Sequence, residues 1–478
     1  MDEQQNDSPR PENPRRRKRS QLQVFKESYL PVAIACLALI LIIVFIVGSA
    51  VRKSQRKRID REASIQASIA LEQKEQQEKA EVDRLLAEAE ALAEGYDFDG
   101  AIAKLDSFTG DLYKYPEIYD RREAYLQEKE KIVAWDDPSQ ITNLSFQLLI
   151  ADPSRAFKDK TYGSSYNKNF ITTEEFSKIL SQLYDNGYIL IRLTDMITTQ
   201  TGEDGQTVYA PKTLYLPVGK KPLILTQTQV NYYTYMVDGN GDKLPDKDGD
   251  GFASRLVLDD DGHITCQMVN TSGDVVTGDY DLVPILDKFV DAHPDFSYNG
   301  AKAILAVTGY DGLFGYRTNP GARATFGDEE YSRQISGAEE IANALRADGY
   351  TLACYTYDNI AYGDRGTSEL QADLSRWNTE VVPILGALDI MVYARNSDIS
   401  AGTGAYSGDK YNAMANAGFR YYLGFCTGAT RWTTLESDHV RQGRLMVSGS
   451  NLAYHADWFS GIFDASTVLD TTRGTIPS

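Results

Sequence analysis

Histidine is the scarcest chemically versatile residue in this 478-residue chain: only His263, His293, His439 and His455 occur. No two are closer than the sixteen positions between His439 and His455. No helix or single loop can therefore offer a histidine pair at metal-ligand spacing. His293 precedes Pro294 near an expected helix end and reads as structural. Cysteine is equally sparse: Cys36, Cys266, Cys354 and Cys426 are too few and too scattered for a disulfide framework. The last three read as buried thiols. Positive charge is lacking where a polyanion-binding body would need it. Residues 1–61 carry 13 Lys/Arg against 6 Asp/Glu, while the remainder carries 36 against 62. An acidic body argues against nucleic acid or anionic polymer as a partner.

What is present divides into four segments. Residues 1–29 form a polar, basic tail with Arg15-Arg16-Arg17-Lys18-Arg19, expected to be disordered and suited to anionic lipid headgroups. Residues 30–51 carry no charge. At 1.5 Å per residue they can cross a hydrocarbon core of ~30 Å as a single-pass membrane helix. Seven Lys/Arg precede the span and six follow by Arg61, so charge leaves the orientation open. Residues 52–134 read as a helical, coiled-coil-like stalk. Glu62–Glu94 is one helix with Gly95 as its stop, Asp99–Phe108 a second and Pro116–Val133 a third. The run from Ala91 to Ile102 resembles a tetratricopeptide-type hairpin, of which one unit is visible. It serves either as a packing collar or as a partner-binding module.

From residue 135 to residue 478 strands alternate with helices. Expected strands are Ile141–Ile150, Tyr188–Leu193, Pro222–Thr228, Lys302–Thr308, Tyr350–Tyr355, Ile390–Tyr393, Tyr421–Phe425 and Arg444–Val447. Expected helices include Thr173–Asn186 behind a Thr172/Glu175 capping box, Leu282–Ala292 and Ala338–Ala347. This alternation gives an α/β fold with a mostly parallel sheet, open or closed into a barrel.

One stretch organises the rest: Lys221-Pro222-Leu223-Ile224-Leu225-Thr226-Gln227-Thr228-Gln229-Val230-Asn231-Tyr232-Tyr233. It begins as an apolar strand and turns polar at its C-terminal end, where β/α folds place their chemistry. A second is Asp348-Gly349-Tyr350 followed by Ala353-Cys354-Tyr355-Thr356-Tyr357-Asp358-Asn359. Others are Asn143-Leu144-Ser145-Phe146-Gln147, Tyr393-Ala394-Arg395-Asn396-Ser397-Asp398-Ile399, and Asp438-His439-Val440-Arg441-Gln442-Gly443-Arg444. From about Trp135 onward, the chain resembles NodB-type polysaccharide deacetylases, in a clostridial membrane-anchored branch whose first signature reads Gln-Asp-Asp-Val-Asn-Tyr-Tyr.

The resemblance implies a distorted (β/α) barrel and a metal-dependent deacetylation at the cell envelope. In that family an Asp and a His-x-x-x-His pair hold zinc, and a neighbouring Asp is the general base. Here Thr228 and Gln229 stand at the two aspartate positions, and Tyr355 and Asn359 at the two histidines. The branch's His-Leu-Phe-Phe-His strand reads Asn143 to Gln147. Four separate requirements of the chemistry are missing at once, so no metal is expected at this site. The remaining candidates for a polar pocket are Gln227, Asn231, Tyr232, Tyr393, Arg395, Asp398 and Arg441. With 30 tyrosines in the chain, aromatic faces and amides there suit sugar binding or simply fill the rim. The expectation is a membrane-anchored, deacetylase-like pseudoenzyme with its N-terminus cytoplasmic and its body outside, binding glycan or an envelope protein. The alternatives are an active zinc-dependent deacetylase, and a stalk adaptor with the barrel as scaffold.

An acidic run stands apart. Asp246, Asp248 and Asp250 repeat at every second position before Gly251, the first half of a calcium loop. Position twelve is Val257 instead of Glu, which leaves a loose calcium site or a solvated acidic hairpin tip as the two readings.

Overall fold

The computed structural model describes residues 29–478, apart from 136, 138, 140, 204 and 429. Apart from Tyr29, the basic tail lies outside the described residues. The described chain divides into two units, one ending at Asp83 and the other running from Arg84 to Ser478. Helix α1, Leu30–Glu94, is a single 65-residue helix, where the sequence suggested a span and a separate stalk helix. Its N-terminal part is long and apolar enough to cross a membrane, and the side chains there are exposed.

In the second unit α1 ends at Gly95, as expected, but the left-handed residue of the stop is Tyr96, at φ 67°. Helix α2, Phe98–Asp106, is capped by Asp97, whose carboxylate accepts the Gly100 amide. Helix α3, Pro116–Lys129, ends four residues earlier than the pattern suggested. Ile132–Trp135 is instead a strand, paired antiparallel with Leu214–Pro217. The collar and the barrel therefore share one small sheet across the boundary expected at residues 134/135. Tyr96 adds to this by donating to the Asp295 carbonyl at 2.8 Å.

The barrel follows. Its strands, in chain order, are β1 (Thr142–Phe146), β2 (Tyr188–Leu190), β3 (Lys221–Thr228), β4 (Ile304–Val307), β5 (Thr351–Cys354), β6 (Ile390–Val392), β7 (Tyr421–Phe425) and β8 (Val440–Met446). All eight coincide with expected strands. Strand β7 has the expected bounds, β3 and β8 extend further toward the N-terminus, and the others are shorter. Seven of them close a parallel ring in the order β4-β5-β6-β7-β8-β1-β3-β4. Strand β3 is the longest of the ring. One edge pairs with β1 along Leu223–Gln227, and the other is divided between β2 at Lys221–Leu223 and β4 at Thr226–Thr228. This is why β2 lies outside the closed ring.

Helices cover the wall. Helix α4, Thr173–Asp185, starts at the expected capping box: Thr172 accepts the Glu175 amide and Glu175 accepts the Thr172 amide. Such a cap contributes about 1 kcal/mol. Helix α5, Leu282–Ala292, has the expected bounds, and α6, Asp328–Ala347, begins ten residues earlier than Ala338. Two apolar clusters result. The larger lies between wall and helices and includes Phe146, Leu225, Leu305, Leu352 and Tyr422. The smaller fills the barrel's lower half with Ile224, Ile304, Ile390, Leu423 and Val440. Cys266, Cys354 and Cys426 are buried free thiols.

Candidate functional site: the C-terminal mouth of the barrel

Side chains alternate across a strand, so one face of each barrel strand points into the ring. Above the apolar lower half, the inward positions are polar. Thr226 donates to Asn143 at 2.9 Å, Asn143 donates to Gln442 at 2.8 Å, and Gln442 donates to Thr433 at 3.1 Å. Thr226, Asn143 and Gln442 are all buried, and this chain satisfies amides that would otherwise cost several kcal/mol in so dry a place.

Next toward the strand C-termini lies Arg444 of β8, 1 % exposed. Its guanidinium donates to the Gly424 carbonyl at 3.1 Å, the Ser145 hydroxyl at 2.8 Å and the Tyr393 carbonyl at 3.2 Å. It thereby ties together the ends of β1, β6 and β7. Burial holds its pKa below the usual guanidinium range. The Tyr355 hydroxyl is close enough to interact electrostatically with Arg444 and Arg395 and to bond Thr228; burial pushes its pKa up.

The mouth itself is closed by amides. Gln229 donates to Gln147 at 3.2 Å, and Asn359 donates to Gln229 at 3.4 Å. Arg395 covers them, its Nε donating to the Asn359 carbonyl at 2.9 Å and its amide to the Tyr355 hydroxyl at 3.3 Å. Thr228 donates to the Phe146 carbonyl at 3.2 Å. The four positions singled out from the sequence, Thr228, Gln229, Tyr355 and Asn359, thus do meet in one place. The backbone there is unusual. Gln229, Thr356, Asn359, Arg395 and Asn396 have φ values of 63°, 61°, 53°, 54° and 54°. A left-handed non-glycine residue costs roughly 1–3 kcal/mol, and such costs collect at functional sites.

The pocket candidates divide by wall face. Only Arg395 lies at the mouth. Gln227 points outward and donates to Asp281 at 2.7 Å; Tyr232 donates to the same carboxylate at 2.7 Å. Burial pushes Asp281 up to about 6, with the Tyr232 hydroxyl, the Leu149 and Leu282 amides and Gln227 opposing. Asn231 accepts the Thr308 amide at 3.0 Å and donates to the Thr308 and Gly312 carbonyls, clamping two loops. Tyr393 is buried in a cluster with Tyr406 and Tyr422. Asp398 and Arg441 pair with each other at 3.0 Å, and Arg441 lies over the Tyr406 ring at 3.9 Å. These residues hold loops in place behind or beside the wall.

The donor set does not fit zinc. Hydroxyl and amide groups are poor ligands for that ion, which takes thiolate, imidazole and carboxylate. A fixed guanidinium beneath them opposes a dication further. Among the described residues, no three His, Cys, Asp or Glu side chains lie together as a metal centre would require. The histidines are dispersed: His293 packs on Tyr184 and Phe289, His439 stacks on Tyr406, and His455 stacks on Trp458. The acidic run is an irregular loop between Thr234–Val237 and Arg255–Leu258, not a hairpin tip. Asp246 accepts the Gly239, Asn240 and Asp248 amides, Asp248 pairs with Lys247, and Asp250 accepts the Tyr166 hydroxyl.

Sequence reasoning missed Arg444 and Gln147 as members of the mouth. Both stand inside the quoted motifs, and Gln147 also stands where the resemblance implies a histidine. Comparison with known proteins adds little. No protein-family model matches the chain, and no curated protein matches it in sequence. Among solved structures it is similar to a Streptococcus pyogenes deacetylase, PplD, in complex with acetate. That likeness covers 67 % of this chain and 95 % of the other, at 10 % identity and a TM-score of 0.32, too low to fix residue correspondences.

Proposed function

We propose that residues 135–478 form a NodB-type, deacetylase-like barrel that has exchanged metal catalysis for binding. The chain would be held in the cell membrane by residues 30–51, with its body outside and an envelope glycan as its ligand. The observation that carries this reading is the amide chain Gln147–Gln229–Asn359, which closes the mouth at the positions where the resemblance implies metal ligands and base. Without a metal, water keeps a pKa of ~15.7, and among the described residues no carboxylate bonds to the side chains of Thr228, Gln229, Tyr355 or Asn359 to activate it. The left-handed residues around the mouth suit a retained binding geometry. One tyrosine near the same strand ends suits a sugar ring: the half-exposed Tyr235, backed by the buried Tyr233 on which it stacks.

The test is elemental analysis of the purified chain together with acetate release from acetylated chitooligosaccharides, peptidoglycan fragments and xylan. The expected outcome is substoichiometric zinc and no acetate. One tightly held metal per chain, with acetate release that a chelator stops, would overturn the proposal in favour of a working deacetylase. Glycan-array binding separates a glycan ligand from an envelope protein.

A further inference from the structure

The described arginines that are nearly fully buried are Arg317, Arg441, Arg444 and Arg473. Three of them face an acid: Arg317 is 3.6 Å from Asp311, Arg441 is 3.0 Å from Asp398, and Arg473 is 2.5 Å from Glu175. Arg444 has none among the described residues. Its acceptors are two backbone carbonyls and one serine hydroxyl. A guanidinium carries five N–H donors. Only three of these find an acceptor among the described residues. A buried charge left uncompensated is among the costliest features a fold can retain, and a guanidinium cannot shed its proton to escape that cost.

A second cation stands above it. Arg395, at the rim, makes no ion pair among the described residues; its Nε is spent on the Asn359 carbonyl. The Tyr355 hydroxyl interacts with both arginines. The acids of the surrounding loops are already engaged: Asp358 by Arg376 at 2.8 Å, Asp398 by Arg441, and Asp311 by the Thr234 amide at 2.6 Å. The mouth is therefore a positive spot in an otherwise acidic body. The cover over it is weak. Two amide bonds of 3.2 and 3.4 Å hold it, and the Asn359 side-chain oxygen has no partner among the described residues.

We propose that the mouth of the barrel binds a single carboxylate, carried on a sugar, with Arg444 as its buried counter-ion and Arg395 as its rim contact. This rests on the reading of the mouth as a binding site and names the ligand's chemistry. A carboxylate is planar and singly charged, and it accepts two parallel bonds from a guanidinium fork. It takes the two unspent N–H donors and compensates the buried Arg444 charge with one negative charge. A polyanion would meet the same two arginines but also the acidic body, which repels it. Entry parts Gln229 from Gln147 and Asn359 and moves the Arg395 side chain that covers them. Those amides then serve the ligand's hydroxyl groups.

The experiment uses the full chain in detergent micelles. Thermal melting and saturation-transfer NMR are recorded with sodium acetate, D-glucuronate, neutral N-acetylglucosamine and sodium chloride at matched ionic strength. The expected result is a saturable rise in melting temperature of several degrees, with ligand NMR contacts, for glucuronate and more weakly for acetate. Neither control reproduces it. Arg444→Met abolishes the response while leaving the chain folded, because an apolar side chain of similar length replaces an uncompensated charge. Arg444→Lys keeps the charge but not the fork, and weakens the response at least tenfold. Gln229→Ala, which opens the cover, moves the response to lower glucuronate concentration. Absence of any carboxylate response in the native chain overturns the proposal, as does an equal response in Arg444→Met or, should that variant not fold, in Arg444→Lys. A carboxylate response that fails in a chain also releasing no acetate removes this inference alone. Chelator-sensitive acetate release removes the functional reading beneath it.

Discussion

Replacing Asp281 by asparagine should flatten a specific part of the chain's pH–stability curve. Asp281 precedes α5 and is fully buried between that helix, β1 and β3. Its partners are all neutral. It accepts the Tyr232 hydroxyl at 2.7 Å, the Gln227 amide at 2.7 Å and the Leu149 amide at 2.9 Å. Burial outweighs these bonds and pushes its pKa up to about 6. An unfolded aspartate titrates near ~3.9. The folded chain thus keeps a proton that the unfolded chain gives up. Stability contributed by the protonated acid is whole below about pH 4 and falls as pH rises through about 6. At 1.36 kcal/mol per unit, the loss by pH 7 is about 3 kcal/mol. An asparagine side chain at this position would keep the shape and the shared acceptor oxygen, and its amide would donate to Tyr232, whose hydroxyl can turn to accept. The Asp281→Asn variant should therefore match the native chain near pH 4 and exceed it by up to about 3 kcal/mol near pH 7. The assay is denaturant unfolding in detergent, followed by tryptophan fluorescence at half-unit steps from pH 4 to 7.5. Asp250 and Asp287, also pushed up to about 6 by burial, contribute to both curves, so the difference between variant and native isolates Asp281. Parallel curves, or a variant less stable at every pH, would refute the reasoning.

Glu175→Ala should cost about 3–5 kcal/mol, since it leaves the Arg473 guanidinium buried without its partner. Replacing both, as Glu175→Gln with Arg473→Met, should recover part of that loss, measured by the same unfolding assay. Millimolar calcium should leave the melting temperature unchanged, because Asp246, Asp248 and Asp250 are engaged with different partners; a rise abolished by Asp248→Asn with Asp250→Asn would reverse that expectation. Protease added to protoplasts should digest the body and spare the N-terminal tail, whereas protection of the body until lysis would place it inside the cell.

The sequence by itself determined the order of elements and which strand ends carry the candidate site. Apolar runs separated by amphipathic helices located all eight barrel strands, and the polar turn at the end of β3 marked its C-terminal end as the mouth. The capping box before α4 and the bounds of α5 were legible because caps and helical periodicity are local signals. The scarcity of histidine already excluded a local histidine pair for a metal. Only the tertiary structure decided which side chains enter the barrel. Strand β3 is buried on both faces from Pro222 to Thr228, so no hydrophobic alternation tells inside from outside. Ring closure turns Thr228 inward and Gln227 outward to Asp281. The same holds for β8, where Arg441 and Arg444 look equivalent in sequence. An odd spacing of three puts them on opposite faces of the strand. Arg441 meets Asp398 and Tyr406 outside the wall, and Arg444 enters the mouth with no acid among the described residues to meet it.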